Sequence, residues 1–311
     1  MRRFSVELRA ALALLALVAR AQPLPKRADP GIELPSKVFS TSDGLPSDRV
    51  GRIFSDSHGF LWFGTEDGLS RFDGSHFLNF SVEQGLPYPV VTDILEARDG
   101  VYWIATNDGF AILDASPSAN AGNSAGYRIR KLMLSSETAP NRVNTLFRDR
   151  AGKLWLGTDG GLFQLDDSGT AFHRVALYLH VPDLLVQIWA IVEDAEGSLW
   201  IGTKFGLVRR LPDGRMVQYP VRSGSPTDHV LALTIDRDGL LWIGHETALL
   251  LLRPSAASTV RGNSPGLRDN SLESARLAAA TFQIPRGDGE ARFLPLSVQV
   301  RSLHQFADGR V

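Results

Sequence analysis

Residues 149–166 read DRAGKLWLGTDGGLFQLD, and this spacing of Asp, Gly, Trp, Gly-Thr and Gly recurs along the chain. Five tryptophans mark the copies: Trp62, Trp103, Trp155, Trp200 and Trp242. Six residues before them stand Asp56, Ala97, Asp149, Asp194 and Asp236, and three before them stand Gly59, Gly100, Gly152, Gly197 and Gly239. Aliphatic residues fill the positions nine and twelve before every tryptophan. So many columns in register exclude a chance pattern and predict a repeat fold.

Each copy predicts four short strands. An aliphatic pair leads into a turn in which the Asp side chain caps the turn and Gly takes a positive φ. Leu-Trp-Ile-Gly-Thr forms a second strand, whose Gly allows close backbone approach. Residues 68–72 start a third strand after a tight turn, and residues 77–80 form a more exposed fourth strand. Four strands in about 42 residues is typical of a β-propeller blade, and the pattern excludes helical repeats.

We therefore expect an all-β fold, a β-propeller of four-stranded blades with five full repeats and the start of a sixth. Val300 and Leu303 repeat the aliphatic pair and Gly309 holds the turn position, so the sequence ends within this sixth repeat. Residues 37–46 align with residues 77–87 and predict the outer strand of a blade whose other strands lie elsewhere. Both features predict an incomplete ring, a fragment of a seven-bladed propeller. The alternative is a degenerate last repeat in an open array, with exposed sheet edges.

Three segments carry a family resemblance: 56–74 (DSHGFLWFGTEDGLSRFDG), 149–166, and 194–210 (DAEGSLWIGTKFGLVRR). With the lead-ins DGLPSDRV and QGLPYPVV, they closely resemble the two-component regulator propeller repeat. The resemblance covers residues 36–252 and restarts near residue 297. It implies the N-terminal periplasmic sensor part of a hybrid two-component histidine kinase or a similar signalling protein. It also implies an output domain outside this sequence, either a histidine kinase or a diguanylate cyclase.

The composition excludes several classes of protein. The 311 residues carry a formal net charge of −1, so the chain lacks the basic balance of a nucleic-acid-binding domain. The absence of cysteine excludes disulfides and thiolate metal sites. A hydrophobic fraction of 43% is enough for a packed core.

The domain boundaries follow from composition. Residues 1–21 predict a signal peptide, with Arg2 and Arg3 before a short apolar run and a small-x-small cleavage pattern; the alternative is an uncleaved anchor. Residues 22–35 predict a linker, and residues 36–311 the incomplete propeller. Loop 114–126 and insertion 253–296 interrupt the propeller. The insertion is either an ordinary surface loop or a functional lid, and residues 271–280 within it predict a short helix. The protein is expected to be exported and periplasmic. The longer parent protein of which it would be a fragment is expected to be anchored in the inner membrane.

The sequence contains no catalytic or metal-binding motif, so we expect no cofactor and no metal site. The tryptophan column predicts core packing between blades, and the repeated aspartates are spread round a ring. The candidate ligand-binding residues lie in loops at one face and vary between blades, as in a recognition surface or in ordinary solvated loops. They are Asp48, Arg49, Glu66, Asp67, Asn107, Asp108, Arg142, Asp159, Lys204, His245 and Glu246, together with Trp189 from an inner strand.

Three functions stay open at this point. The first is an extracytoplasmic ligand-sensing propeller without catalytic activity in these residues. A histidine kinase is one option for the output domain of the full-length parent. The second is an exported propeller enzyme of the streptogramin-lyase type, for which His229, His245 and Glu246 are the candidate grouping. The third is a scaffold that binds proteins. The expected ligand is a small molecule, and an oligosaccharide is one candidate. The other expected partners are further blades and a membrane-anchored output domain of the parent, and a second copy in a homodimer. No nucleic acid is expected.

Overall fold

The repeats form five antiparallel sheets of four strands each. The computed structural model describes residues 37–115, 127–132, 134, 141–166, 171–179, 181–219, 229–246, 248–254 and 294–295. The predicted signal peptide, the linker and the sixth repeat lie outside these residues, as do 116–126 of the predicted loop and most of the predicted insertion. In each sheet the strands follow chain order from the first to the fourth. The predicted all-β propeller architecture is therefore confirmed.

The strands of the first three blades have the following bounds: β1 (Val50–Ser55), β2 (Leu61–Thr65), β3 (Gly68–Phe72), β4 (Phe77–Phe80), β5 (Val91–Arg98), β6 (Val101–Thr106), β7 (Phe110–Asp114), β8 (Arg128–Leu132), β9 (Val143–Arg148), β10 (Leu154–Thr158), β11 (Gly161–Leu165) and β12 (Phe172–Val175). The last two blades contain β13 (Ile188–Glu193), β14 (Leu199–Thr203), β15 (Gly206–Arg210), β16 (Met216–Tyr219), β17 (Val230–Ile235), β18 (Leu241–His245), β19 (Ala248–Leu252) and β20 (Leu294–Pro295). Short 3-10 turns occupy Thr41–Asp43 and Asp183–Leu185.

In the first, third and fourth blades, the tryptophan packs into the core between its own blade and the next. Trp62 lies with Ile94 and Ile104 of the second blade, and Trp200 lies with Val230 and Leu233 of the fifth. Burying an indole ring removes a large apolar surface from water, so this column contributes much of the packing energy between blades. The predicted structural role of the tryptophans is confirmed.

The repeated aspartate joins the turn of a blade to this core. In the first blade, Oδ1 of Asp56 accepts backbone N–H groups from His58 and Phe60 at 3.0 and 2.9 Å. Oδ2 of Asp56 accepts the indole Nε1–H of Trp62 at 2.8 Å. The same Asp–Trp bond measures 2.7–2.8 Å in the third, fourth and fifth blades. The predicted turn cap is present, and the bond to tryptophan is an addition that the spacing of six residues encodes.

The Gly-Thr pair that ends the second strand of the first, third and fourth blades has two packing functions. A Cβ at Gly157 would lie 2.6 Å from Ile188 Cγ2, so only glycine lets the inner strand of the next blade approach so closely. The hydroxyl of Thr158 donates to the carbonyl of Gly161 at 2.9 Å, which closes the hairpin turn. The predicted close approach at this glycine is confirmed.

The first blade has an uncovered side. Ile53 of β1 is 60% exposed, whereas the equivalent Ile94 of β5 is 2% exposed because the first blade covers it. Residues 37–46 contain no strand, contrary to the strand predicted there, because no described strand lies beside them to supply hydrogen bonds. The ring of Phe39 instead packs against Phe72 and Phe77, at centroid distances of 5.1 and 5.5 Å. The five described blades do not close into a ring.

The end of the predicted insertion belongs to the fifth blade. β20 pairs with β19 through Ala248 and Leu249, and so completes the fourth strand of that sheet. In the sequence, the insertion therefore connects the third and fourth strands of this blade. Loop 114–126 leaves the second blade at the same place.

Candidate functional site

The five inner strands converge on one central cavity of about 600 Å³. Every blade contributes to its lining, through the first residues of the inner strands and the loops beside them. A single cavity with lining from all five repeats is the natural place for a ligand, because few other positions collect side chains from the whole array.

One column of the repeat faces this cavity. The residues eleven positions before the tryptophans are Gly51, Thr92, Asn144, Trp189 and Leu231, and all of them line it. Each follows the first aliphatic residue of an inner strand, and successive side chains of a strand point to opposite sides. The aliphatic column thus packs between blades, while the column that follows it faces the central cavity. We call this second column the axial column. This column differs in every blade, which is the variation that a binding site on a constant frame requires.

Polar members of the axial column also bind the next blade. The hydroxyl of Thr92 donates to the carbonyl oxygen of Val143 at 2.5 Å. The amide of Asn144 donates to the carbonyl oxygen of Ile188 at 3.0 Å and to Asp159 Oδ1 at 2.9 Å. A ligand that contacts these side chains would therefore also contact the junctions between blades.

Two ion pairs stand at the cavity. Arg49 Nη1 lies 3.2 Å from both carboxylate oxygens of Glu66. Arg142 Nη1 lies 3.3 Å from Asp159 Oδ2. All four side chains keep some exposure to solvent, so each pair adds little stability and remains accessible to a polar ligand.

An aromatic and acid–base group forms the wall contributed by the fourth and fifth blades. The rings of Trp189 and His229 meet edge to face with centroids 5.1 Å apart. Nδ1 of His229 lies 3.5 Å from Glu246 Oε1. Nε2 of His229 has no hydrogen-bond partner among the described residues. The imidazole thus has Glu246 beside one nitrogen, and its other nitrogen is buried without a partner among the described residues.

A buried carboxylate ties three inner strands together behind the cavity. Oδ1 of Asp93 lies 2.8 Å from Arg52 Nε in an ion pair. Oδ2 of Asp93 accepts the Leu146 N–H at 2.8 Å and the Thr145 hydroxyl at 3.2 Å. Burial raises the pKa of Asp93, although Arg52 and the hydrogen bonds act in the opposite direction. This residue joins the first, second and third blades at their axial ends.

The structure brings together only part of the predicted site. Five predicted residues line the cavity: Arg49, Glu66, Arg142, Trp189 and Glu246. Asp159 stands beside the cavity through its contacts with Arg142 and Asn144. The remaining predicted residues are not part of the lining, and these are Asp48, Asp67, Asn107, Asp108, Lys204 and His245.

Local contacts account for several of these positions. Asp48 accepts the backbone N–H of Thr41 at 2.7 Å, and the backbone N–H of Lys204 donates to the Gln187 carbonyl at 3.0 Å. His245 is buried at the end of β18, whereas His229 lines the cavity. Thr92, Asn144 and Leu231 were not predicted, although the column shared with Trp189 carried the signal.

One cluster among the described residues has the donor types of a cation site. His58, Glu96 and Asp99 place ligand atoms within 4.8 Å of one another. The same groups already connect the first two blades, since the Ser57 hydroxyl donates to Glu96 Oε1 at 2.7 Å and His58 Nε2 lies 3.1 Å from Asp99 Oδ1. The four repeated aspartates each serve their own turn and do not form a shared metal site. Within the described residues, no helix is long and apolar enough to cross a membrane.

Comparison with protein families identifies the repeat. The model of the two component regulator propeller matches residues 44–67, 85–108, 139–160, 185–205 and 224–247. The chain belongs to the two-component regulator propeller family. All five matches contain the landmark tryptophan or the turn beside it, so the sequence resemblance is confirmed. A comparison with curated protein sequences finds no match.

Solved structures share the propeller fold at low sequence identity. Streptogramin B lyase is 16% identical, with a TM-score of 0.53 and a match over 68% of each chain. PorZ, a surface component of the type-IX secretion system of Porphyromonas gingivalis, is 18% identical, with a TM-score of 0.53 over 74% of this chain and 35% of PorZ.

A third match is the extracellular domain of a protein assigned to a hybrid two component system from B. thetaiotaomicron. It is 20% identical, with a TM-score of 0.44 over 75% of this chain. The chain spans 31% and 37% of two extracellular domains assigned to hybrid two component systems from B. thetaiotaomicron. It spans 36% of an extracellular domain assigned to a one component system from the same organism.

Proposed function

We propose that this propeller is the extracytoplasmic ligand-sensing module of a two-component signal-transduction protein, and that the ligand binds in the central cavity. Five repeats of a signalling propeller family support the signalling role. The observation that carries the location is the axial column, which supplies the cavity with a different side chain from every blade on a constant frame.

The lining favours a ligand with many hydroxyl groups, for example an oligosaccharide. Arg49, Arg142 and Asn144 offer donors, and Glu66 and Glu246 offer acceptors. Trp189 offers an aromatic surface for the less polar face of a sugar ring. A cavity of about 600 Å³ is in the range of small-molecule sites.

The signal would arise from the junctions between blades. Thr92 and Asn144 bond the backbone of the next blade, so a ligand that engages them favours one arrangement of the blades over another. In the parent protein, anchored in the inner membrane, that bias would pass to a histidine kinase or a diguanylate cyclase. The exported, periplasmic location is part of this proposal.

Binding of oligosaccharides tests the proposal through Trp189. We expect a neutral oligosaccharide to change the fluorescence of the full chain, and Trp189→Ala to weaken binding about tenfold, because stacking contributes about 1–1.5 kcal/mol. Lys204→Gln is the matched control, since Lys204 lies outside the cavity lining. Loss of affinity in both variants, or in neither, would exclude the central cavity as the site.

A second function remains a candidate because of the His229–Glu246 pair in the cavity. An imidazole beside a carboxylate, with an unpartnered Nε2, has part of the arrangement of a general base. This Nε2 is buried, so a side chain would have to move before a substrate reaches it. Streptogramin B lyase shares the fold, and fold alone does not assign an activity. Liquid chromatography coupled to tandem mass spectrometry, which separates isomers of equal mass, distinguishes the two when a streptogramin B antibiotic is incubated with the chain and with His229→Ala. Turnover that depends on His229 favours the enzyme, and an unchanged antibiotic favours the sensor.

A further inference from the structure

A second cleft, outside the central cavity, lies between the second and third blades. Its volume is about 650 Å³. One wall is a face of the second sheet, where Trp103 pairs with Ile112, and Ile112 pairs with Arg130. Leu165 of β11 stands on the side of the third blade. The cleft therefore occupies the junction that the landmark tryptophan fills in the first, third and fourth blades.

The second blade lacks the aspartate of the repeat at this place. In four blades a carboxylate oxygen of that aspartate accepts the indole N–H at 2.7–2.8 Å. Ala97 holds the position in the second blade, and both Ala97 and Trp103 line the cleft. The indole N–H of Trp103 has no hydrogen-bond partner in the described part of the chain. The turn has also changed, because the strands β5 and β6 now extend to Arg98 and Val101.

The cleft is basic. Arg98, Arg128 and Arg130 line it together with a single carboxylate, Asp114, which leaves an excess of two positive charges. Asp114 stands opposite Arg128 in the strand register. Within the described residues, Arg98 and Arg130 form no ion pair. The three guanidinium groups present planar donor pairs, which match the geometry of carboxylates.

We propose that this cleft binds a small organic acid, and that one carboxylate of the ligand takes the place of the missing aspartate beside Trp103. The indole N–H of Trp103 donates to that carboxylate, as its counterparts donate to aspartate in four other blades. The excess of two positive charges fits a dicarboxylate, whose second group lies toward Arg130. This site is separate from the central cavity, so it does not depend on the function proposed there.

Titration with succinate, followed by NMR of the tryptophan indole N–H groups, tests the proposal on the full chain. Trp103→Phe assigns the resonance of Trp103. We expect succinate to shift that resonance, while succinamide, the neutral isostere, leaves it in place at the same ionic strength. Sulfate separates carboxylate recognition from general anion binding. An equal shift with succinamide or with sulfate would overturn the proposal.

Three variants locate the ligand. Ala97→Asp restores the carboxylate of the repeat, so we expect it to abolish the succinate shift. Arg130→Gln should weaken succinate binding about tenfold, because it removes a charge-assisted hydrogen bond. Lys131→Gln is the matched control on the same strand, since Lys131 pairs with Ala111 and points to the opposite side of the sheet; its effect should stay below about twofold.

The variants also decide against the proposal. Undiminished binding in Ala97→Asp places the anion elsewhere. Equal losses of succinate affinity in Arg130→Gln and Lys131→Gln would show that only the net charge of the surface matters, and would overturn the proposal. If Ala97→Asp does not fold, the comparison of the two strand variants still decides, because both positions are exposed.

Discussion

At the scale of single residues, the aspartate of the repeat does more than cap a turn. Asp56 accepts the indole N–H of Trp62 and the phenol of Tyr102, both at 2.8 Å, and so links the turn of the first blade to the core shared with the second. Burial acts to raise the pKa of Asp56, but the hydrogen bonds from Trp62, Tyr102 and the backbone lower it overall. The charged carboxylate is therefore the form that the folded state prefers.

Removal of this carboxylate is expected to be costly. Asp56→Ala leaves four donors without this acceptor: the side chains of Trp62 and Tyr102 and the backbone N–H groups of His58 and Phe60. We expect the free energy of unfolding to fall by about 2–4 kcal/mol. Asp238→Ala, in an exposed turn position of the fifth blade, is the control and should cost less than about 0.5 kcal/mol. Urea denaturation measures both. Equal losses would show that the bonds from Trp62 and Tyr102 contribute nothing specific.

The same carboxylate makes stability depend on pH. Because the pKa of Asp56 is lowered on folding, its contribution is present above the unfolded pKa of about 3.9 and is lost as the pH falls through the folded value. We expect Asp56→Asn to lose less stability than the wild type when the pH is lowered from neutrality into this range. Urea midpoints across the pH series give the two slopes. Parallel slopes would contradict the shift.

At the scale of elements, the distance between neighbouring blades depends on the glycine of the second strand. A Cβ at Gly202 would lie 2.8 Å from both Cγ1 and the backbone oxygen of Val230 in the next inner strand. The second blade has Ala105 at this position, and it is fully buried. The residue that faces the next inner strand therefore differs between junctions.

Substitution of Gly202 tests this spacing. Gly202→Ala should lower the free energy of unfolding by about 1–3 kcal/mol, because the backbone oxygen of Val230 cannot move aside without shifting a strand. Gly51→Ala is the matched control in an inner strand, since its nearest atom would be at an ordinary 3.9 Å. That variant should change stability by less than about 0.5 kcal/mol. A neutral Gly202→Ala would mean that the junction relaxes freely.

At the scale of the whole molecule, the sequence predicts the contacts that recur in most blades, but it does not predict the cavity residues that differ between blades. The columns of Trp, Asp and Gly define the blades because each makes the same contact in almost every copy. The axial residues Thr92, Asn144 and Leu231 share only a position, so no residue type signals them. The strand predicted at residues 37–46 is absent because alignment reports only the kind of segment, whereas a strand needs a neighbour with which to form hydrogen bonds.

The uncovered side of the first blade gives the last prediction. Ile53 and Ile94 occupy the same column, with exposures of 60% and 2%, and differ in having a blade beside them. Ile94→Ala should therefore cost about 2–5 kcal/mol, since it opens a cavity between two sheets. Ile53→Ala should cost less than about 0.5 kcal/mol, since its side chain already meets water. Urea denaturation of the full chain compares the two. Equal costs would show that another part of the chain, or a second copy, covers the first blade in solution.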